Sequence, residues 1–472
     1  MGTKLPWDPA WIVESLSDST IYMAFYTIVH KLRSSGVDAS RLTKEFWDFV
    51  MLGKGDAERV SESTGVPLQL LRELREEFTY WYPLDSRHSG KDLIPNHLTF
   101  FIFNHAGIFP EDLWPRQIVV NGFVLYEGKK MSKSLRNIIP LKEVIRRYGP
   151  DPVRLTLLAA AELGQDADFT DAAARGFEER LLRLLETVGK LREAGPVDGY
   201  AERAELSRAH LWLLNRINRR VRLVTELMDK LRMREAVHHV LFGVEDDVRR
   251  FASRWYGGRM DRALSDERAA AVLRYVYERV ALMLAPFAPF TAQEMWSRLG
   301  HGTLVEEEGW PSVDERFVSD ELELEEEYLE MLLSDIREIV ELLGRRPSAI
   351  RVYVAPRSYY GLLVEASKAL AEGVPLKDFV RRAVQRFRDR RLGAEVARRV
   401  YDLASRLTPE LRVLVGKVVL DEARVVREAS DYILTVVGGK EVAVVEVGEE
   451  EVVTVKGKRQ VPLPLKPVIY IE

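Results

Sequence analysis

The sequence has 472 residues, a formal net charge of −4, 46% apolar and 30% charged residues, and no cysteine. That length exceeds what one compact core organises and points to about three domains; the near-neutral balance gives no global basic field, so any RNA contact has to come from local patches. The missing cysteine excludes disulfides, a thiol nucleophile and Cys-ligated zinc within this chain, and with neither a signal-peptide pattern nor an uninterrupted apolar stretch near 18 residues, the cytoplasm is the expected location.

From the N-terminus to about Phe169, Pro- and Trp-rich turns alternate with helical stretches and with short apolar runs, Ile118-Val119-Val120 and Phe123-Val124-Leu125, a pattern that predicts an α/β fold. Between about Arg175 and Leu299 apolar residues recur every three or four positions. Leu181, Leu182, Leu185 and Val188 form one stripe, and Ala281, Leu282, Leu284 and Ala285 belong to another, which predicts a helical bundle. Residues 300–327, rich in Glu and Gly and ending in the acidic run Glu321 to Glu327, read as a solvated linker. Beyond it an α+β pattern begins: Tyr328 to Leu343 as a helix, Ile350 to Val354 as a strand, and Phe379 to Arg406 as helical. Tyr432 to Val455 reads as strands joined at Gly438-Gly439 and at Gly448.

The most specific run is Lys130-Met131-Ser132-Lys133-Ser134, preceded by Asn121-Gly122-Phe123-Val124 and by Gly128. Five fixed positions match by chance in roughly one of several thousand chains of this length. Two lysines and two hydroxyls beside a glycine turn supply cations and donors to a triphosphate, as adenylyl transfer requires. Upstream, His88-Ser89-Gly90-Lys91-Asp92-Leu93-Ile94-Pro95-Asn96-His97-Leu98 reads as a glycine turn entering a helix. Its Gly90 allows backbone to approach a flat base, and Asp92 can accept both ribose hydroxyls. By itself this segment is also an ordinary turn with an acidic residue at the start of a helix.

Together, in this order, the two segments resemble the ATP-loop signature and the adenosine-binding segment of class I aminoacyl-tRNA synthetases. A third stretch, Gly2-Thr3-Lys4-Leu5-Pro6-Trp7-Asp8 followed by Ile12 to Ala24, is similar to the segment that re-enters the catalytic domain after the editing insertion in archaeal leucyl enzymes. The resemblance implies a multidomain layout: 1–174 as part of a Rossmann-like α/β catalytic domain, 175–315 as an α-helical, anticodon-binding-like bundle, and 316–472 as an α+β C-terminal domain. It implies ATP with Mg²⁺ as the nucleotide, bound by Gly90, Asp92, Asn121, Gly122, Val124, Lys130, Met131, Ser132, Lys133 and Ser134. Lys133 would offset charge on the phosphates with help from Lys130. Ser19, Tyr22 and His97 are the implied leucine pocket, while Ile21, Met23 and Phe25 are expected to pack in the core.

The expected partners are leucine and tRNA(Leu). Arg216, Arg219, Arg220 and Arg222 in the bundle, and Arg381, Arg382, Arg386, Arg388, Arg390 and Arg391 near the C-terminus, are candidate phosphate contacts, as is the turn with Lys456, Lys458 and Arg459. A solvated helical face with intrahelical ion pairs is the alternative role for the bundle arginines. The family's His-x-Gly-His signature is absent from the eight histidines, and the editing segment is absent with it, so the catalytic fold is expected to be cut and to need a partner carrying the missing half; a naturally split enzyme, an expressed fragment and an incomplete gene model are the competing explanations. A non-catalytic tRNA-binding protein and an isoleucyl or valyl enzyme are the competing readings.

Overall fold

The computed structural model describes residues 4–5, 7–134, 136–202, 204–455 and 457–472; Gly2, Thr3 and Pro6 of the third stretch and Lys456 of the basic turn lie outside them. The chain is mostly helical with small sheets. It divides into two compact units, Met1–Arg180 with Met228–Glu235, and Leu181–Leu227 with Ala236–Glu472.

In the first unit a helical layer is built from Lys44–Leu52, Ala57–Thr64 and Leu68–Trp81. Leu71, Leu74 and Phe78 recur at three and four residues, so one face of the last helix meets Phe46, Val50 and Val60 in a dry core. Asp56 accepts the Arg59 N–H at 3.1 Å and caps the middle helix, a contact of about 1 kcal/mol. Helix Ser15–Tyr26 buries Ala24 against this core, with Ile21, Met23 and Phe25 packed beside it as expected. Strands β1 (Arg87–Gly90) and β2 (Ile118–Asn121) pair in parallel and are connected through helix Thr99–Ile108, a β–α–β unit.

A second small sheet follows at once. Strand β3 (Val124–Tyr126) pairs antiparallel with β4 (Lys129–Lys130) and parallel with β5 (Ala167–Phe169). Between β3 and β4 the two-residue turn has positive φ at both positions, Glu127 at 48° and Gly128 at 73°, the mirror-type turn whose twist suits a tight hairpin. The expected strand at Phe123 thus starts one residue later, because Gly122 and Phe123 form the corner between the two sheets.

The second unit begins with a helical part in which Arg208–Asp229, Val244–Tyr256, Glu267–Leu284 and Pro289–Arg298 are the principal helices. Trp212, Leu214, Ile217, Val221 and Val224 are buried along the first of them. The sequence between 300 and 327 is not a solvated linker throughout. Helix Asp320–Leu343 starts inside it, capped by Ser319, and places Glu323, Glu325 and Glu326 in buried positions because arginines from other helices meet them there.

The remainder forms an α+β part. Strand β6 (Ile350–Val354) lies between β7 (Val442–Glu446), parallel, and β10 (Val468–Ile471), antiparallel, while β8 (Val453–Val455) and β9 (Lys458–Gln460) make a separate hairpin. The expected helix from Phe379 to Arg406 is broken. Phe387 turns inward against Gly393, whose hydrogen could not be replaced by a Cβ, and Asp389 caps the new helix Arg390–Arg406 by accepting from Arg391 and Leu392. Tyr432 begins no strand; it lies in helix Ser430–Val437.

Candidate functional site

Because β1 and β2 run in parallel with Gly90 in register with Asn121, the turn after one strand and the corner after the other open on one edge. Carboxyl ends of parallel strands are where α/β sheets bind nucleotides. Asp92 is exposed, and its carboxylate folds back so that a Cβ on Gly90 would lie 2.6 Å from Oδ1. At Gly122 a Cβ would run into the Gln165 carbonyl and the Asp166 carboxylate, so only glycine lets the corner approach that loop. A cavity of about 460 Å³ lies here, lined by His88, Asn121, Gly122, Val124, Leu157 and Gln165 among others. That volume is in the range that takes a small organic ligand.

The hairpin delivers the lysine loop to the same region. Lys130 pairs with Leu125 at the end of β4, and the Gly128 N–H donates to Asp168 at 2.8 Å. Asn137 secures the loop base: its side chain accepts the Ser132 N–H at 2.9 Å and donates to the Lys130 carbonyl at 3.0 Å. Met131 lines an apolar cavity of about 220 Å³ with Val124, Leu125, Ile139, Val144 and Phe169, which anchors the loop from below. Ser132 and Ser134 hydroxyls stand 3.1 Å apart, while Lys133 and Ser134 are exposed. Neither Lys130 nor Lys133 joins a salt bridge among the described residues, so both cations are available to a polyanion.

Ser19 and His97, far apart in sequence, meet: the Ser19 hydroxyl is 3.4 Å from His97 Nδ1. The opposite ring nitrogen faces the Arg87 guanidinium at 3.1 Å. Burial and then the Arg87 charge lower the His97 pKa, so the ring is neutral. A neutral ring facing a guanidinium must accept through Nε2, which assigns its proton to Nδ1, toward Ser19. Tyr22 lies one turn from Ser19 on the same helix, exposed, with its ring edge-on to Tyr26 at 4.8 Å. The neighbouring helix is tied in by Asn104, which donates to Thr20 at 2.7 Å.

Two residues that sequence reasoning did not single out belong to this site. Asp166 accepts from the Lys91 ammonium at 2.6 Å and from the Phe123 N–H at 2.8 Å. Those donors, first Lys91 and then the Phe123 amide, hold its carboxyl below the ordinary range. Arg87 is the second, through His97. Lys91 stood inside the quoted segment, and Asp166 follows a Gly-Gln turn, but only strand order reveals that they meet.

The arginines divide into two groups. Arg216 pairs with Asp247 at 3.0 Å and with Glu323, Arg219 with Asp320 at 2.5 Å, and Arg220, only 9% exposed, with Asp247. Arg222 pairs with Glu315 at 2.6 Å. These side chains are held by carboxylates within their own unit, so Arg216, Arg219 and Arg220, expected as RNA contacts, lie in an internal ion-pair network. Arg382, Arg388, Arg390 and Arg391 are exposed; Arg381 and Arg386 are exposed too, with surface partners in Asp378 and Glu365.

Residues 70–182 match the family model of class I (M) tRNA synthetases, and residues 210–353 match that of the anticodon-binding domain of tRNA ligase. The Leucine–tRNA ligase 2 of Metallosphaera sedula is 43% identical over 415 residues, 88% of this chain and 42% of that protein. The leucine–tRNA ligase of Ignicoccus hospitalis is 43% identical over 475 residues, 100% of this chain and 44% of its own length. A solved ternary complex of Agrobacterium radiobacter K84 agnB2 LeuRS with tRNA and LeuAMS overlaps 60% of this chain and 31% of that one, with a TM-score of 0.43 and 21% identity. The chain belongs to the leucine–tRNA ligase family of class I tRNA synthetases and spans less than half the length of the curated relatives it matches.

Proposed function

We propose that this chain supplies the ATP loop and the tRNA-binding parts of a cytoplasmic leucine–tRNA ligase. Its divisions would be 1–174 as part of the catalytic domain, 175–315 as a helical bundle and 316–472 as an α+β domain. The observation that carries the reading is that Lys91, next to Gly90, and Lys130, at the base of the lysine loop, meet at the Phe123 ring beside the Gly122 corner where the two small sheets join. ATP would place its adenosine against Gly90, Asp92, Asn121, Gly122 and Val124. Lys130, Met131, Ser132, Lys133 and Ser134 would close over the phosphates, with Mg²⁺ arriving on the nucleotide.

In that arrangement the leucine carboxylate attacks the α-phosphorus and pyrophosphate leaves. Lys133, assisted by Lys130, offsets the charge that develops on the phosphates, and the terminal ribose of tRNA(Leu) then takes the acyl group from the adenylate. Catalysis of this kind rests on positioning and charge rather than on covalent help from the protein. Ser19, Tyr22 and His97 would border the leucine side chain, where a neutral His97 leaves an apolar ligand no buried charge to face. Arg381, Arg382, Arg386 and Arg388 are the RNA contacts we favour, because their guanidinium groups are exposed.

Sequence equivalent to the unmatched part of the relatives would supply the missing half of the site. Leucine-dependent ATP–pyrophosphate exchange tests the reading: none is expected from the chain alone. Exchange is expected after addition of the complementary part of an archaeal relative, and it should fall about 100-fold or more for Lys133→Ala, the scale on which transition-state charge stabilisers act. Binding of tRNA with no exchange under any complementation would favour a non-catalytic RNA-binding protein. Exchange with isoleucine or valine but not leucine would move the specificity.

A further inference from the structure

We propose that Asp166 is a positioning residue that locks the adenosine segment to the lysine loop before nucleotide binds, by pairing with Lys91 across the Gly122–Phe123 corner. The proposal deepens the reading of these two segments as one ATP site and rests on it. Lys91 directly follows Gly90, and its ammonium lies 2.6 Å from Asp166 Oδ1. The same oxygen takes the Phe123 N–H at 2.8 Å, and the absence of a side chain on Gly122 is what admits the carboxylate to the corner.

Phe123 completes the lock. The Lys91 ammonium stands 5.2 Å from its ring centroid and the Lys130 ammonium 5.0 Å, so one aromatic ring is shared by a cation from each segment. Cations over aromatic faces attract weakly at exposed sites. One carboxylate and one ring thus hold two lysines of like charge near each other, an arrangement that would repel without the anion. Lys91 and Asp166 side chains are 35% and 36% exposed, which leaves the pair open to water and to exchange. An incoming triphosphate, richer in charge than one carboxylate, can take over both ammonium groups, and the aspartate would keep them gathered until then.

Nucleotide-free trypsin cleavage after Lys133, read by mass spectrometry relative to cleavage at the distant exposed Arg459, tests this on the full chain. Asp166→Asn keeps an acceptor for the Phe123 amide and removes the charge; Lys91→Met removes the cation and keeps the stem. Each should speed cleavage about two- to fivefold, the scale of a half-exposed ion pair. The double variant should be no faster than the quicker single one. Raising salt should accelerate the unmodified chain and leave Asp166→Asn unchanged, a response that loss of packing alone would not give.

Additive singles, or an Asp166→Asn chain that is cut at the unmodified rate with the unmodified salt response, would overturn the proposal. Should Asp166→Asn lower the melting temperature, Lys91→Met and its salt response decide the question alone. Because no exchange activity enters this assay, a negative result here would leave the ligase reading standing, and a failed exchange assay would leave the lock standing.

Discussion

Replacing Glu422 with Gln should make the second unit markedly more stable at alkaline pH and leave it nearly unchanged at acid pH. Glu422 is buried at the start of helix Glu422–Glu428, where Oε1 accepts from the Tyr360 hydroxyl and from the Leu465 N–H, each at 2.7 Å. Its Oε2 makes no hydrogen bond of good geometry among the described residues, with the buried Tyr328 hydroxyl as its nearby polar neighbour, so that oxygen is the natural seat for a proton. Burial raises the carboxyl from 4.5 to about 7, with the Leu465 and Tyr360 donors pulling the other way. At 1.36 kcal/mol per unit, that rise corresponds to about 3 kcal/mol. The folded state holds the proton more tightly than the unfolded chain does. Its contribution is therefore complete below pH 4.5 and is lost as pH climbs through 7. Gln has the same shape and no charge at any pH. Calorimetric melts of both proteins from pH 5 to pH 8 should diverge with pH, the variant ending about 6–12 °C higher at pH 8, using 2–4 °C per kcal/mol for a domain of this size. Parallel curves across that range would refute the assignment, and with it the claim that Glu422 carries the proton.

The same helix network gives other expectations. Glu325 is 4% exposed and pairs with Arg208 and Arg424, so Glu325→Gln should destabilise the second unit by about 2 kcal/mol or more, read as a lower melting temperature that salt does not restore. Replacing Arg381, Arg382, Arg386 and Arg388 with Gln should weaken tRNA(Leu) binding and flatten its salt dependence with little change in stability, whereas Arg216→Gln should cost stability first; filter binding beside a melting curve separates the two. Gly122→Ala should disrupt the corner, because the new methyl meets the Gln165 carbonyl, and should speed trypsin cutting of the lysine loop more than Asp166→Asn does.

What the sequence disclosed, and what it hid, follows from the range of the interactions. Lys130 to Ser134 stood out because a short run states its own chemistry, whereas the hairpin before it, with positive φ at Glu127 and Gly128, was not read from the sequence. Ile21, Met23 and Phe25 were legible as packing residues because their apolar character is local. The Gly90–Asn121 register and the Lys91–Asp166 pair were not, since parallel strands bring together residues that no spacing rule connects. The run Glu321 to Glu327 misled for the same reason: an acidic stretch is solvated unless cations reach it, and here Arg208, Arg216, Arg250 and Arg424 come from helices far away in sequence. Arg216 and Arg219, expected as RNA contacts, supply part of that network through Glu323.

Helix Thr99–Ile108 links the fold to the proposed need for the missing half of the site. Phe101 and His105 on one side are buried, with His105 3.2 Å from the Tyr82 hydroxyl. Yet Phe103 is 72% exposed and Ile102 52%. A helix apolar on all sides is normally covered on all sides. The sheet it serves has only β1 and β2 among the described residues, fewer strands than an independent sheet usually needs. Trp7, 80% exposed, is a further large apolar group left uncovered in this unit. Burying Phe103 and Ile102 alone would contribute about 1.5–3 kcal/mol for each side chain fully covered. The unit that carries the lysine loop is thus the one with apolar surface to cover, which is where sequence equivalent to the rest of the relatives' length would have its driving force.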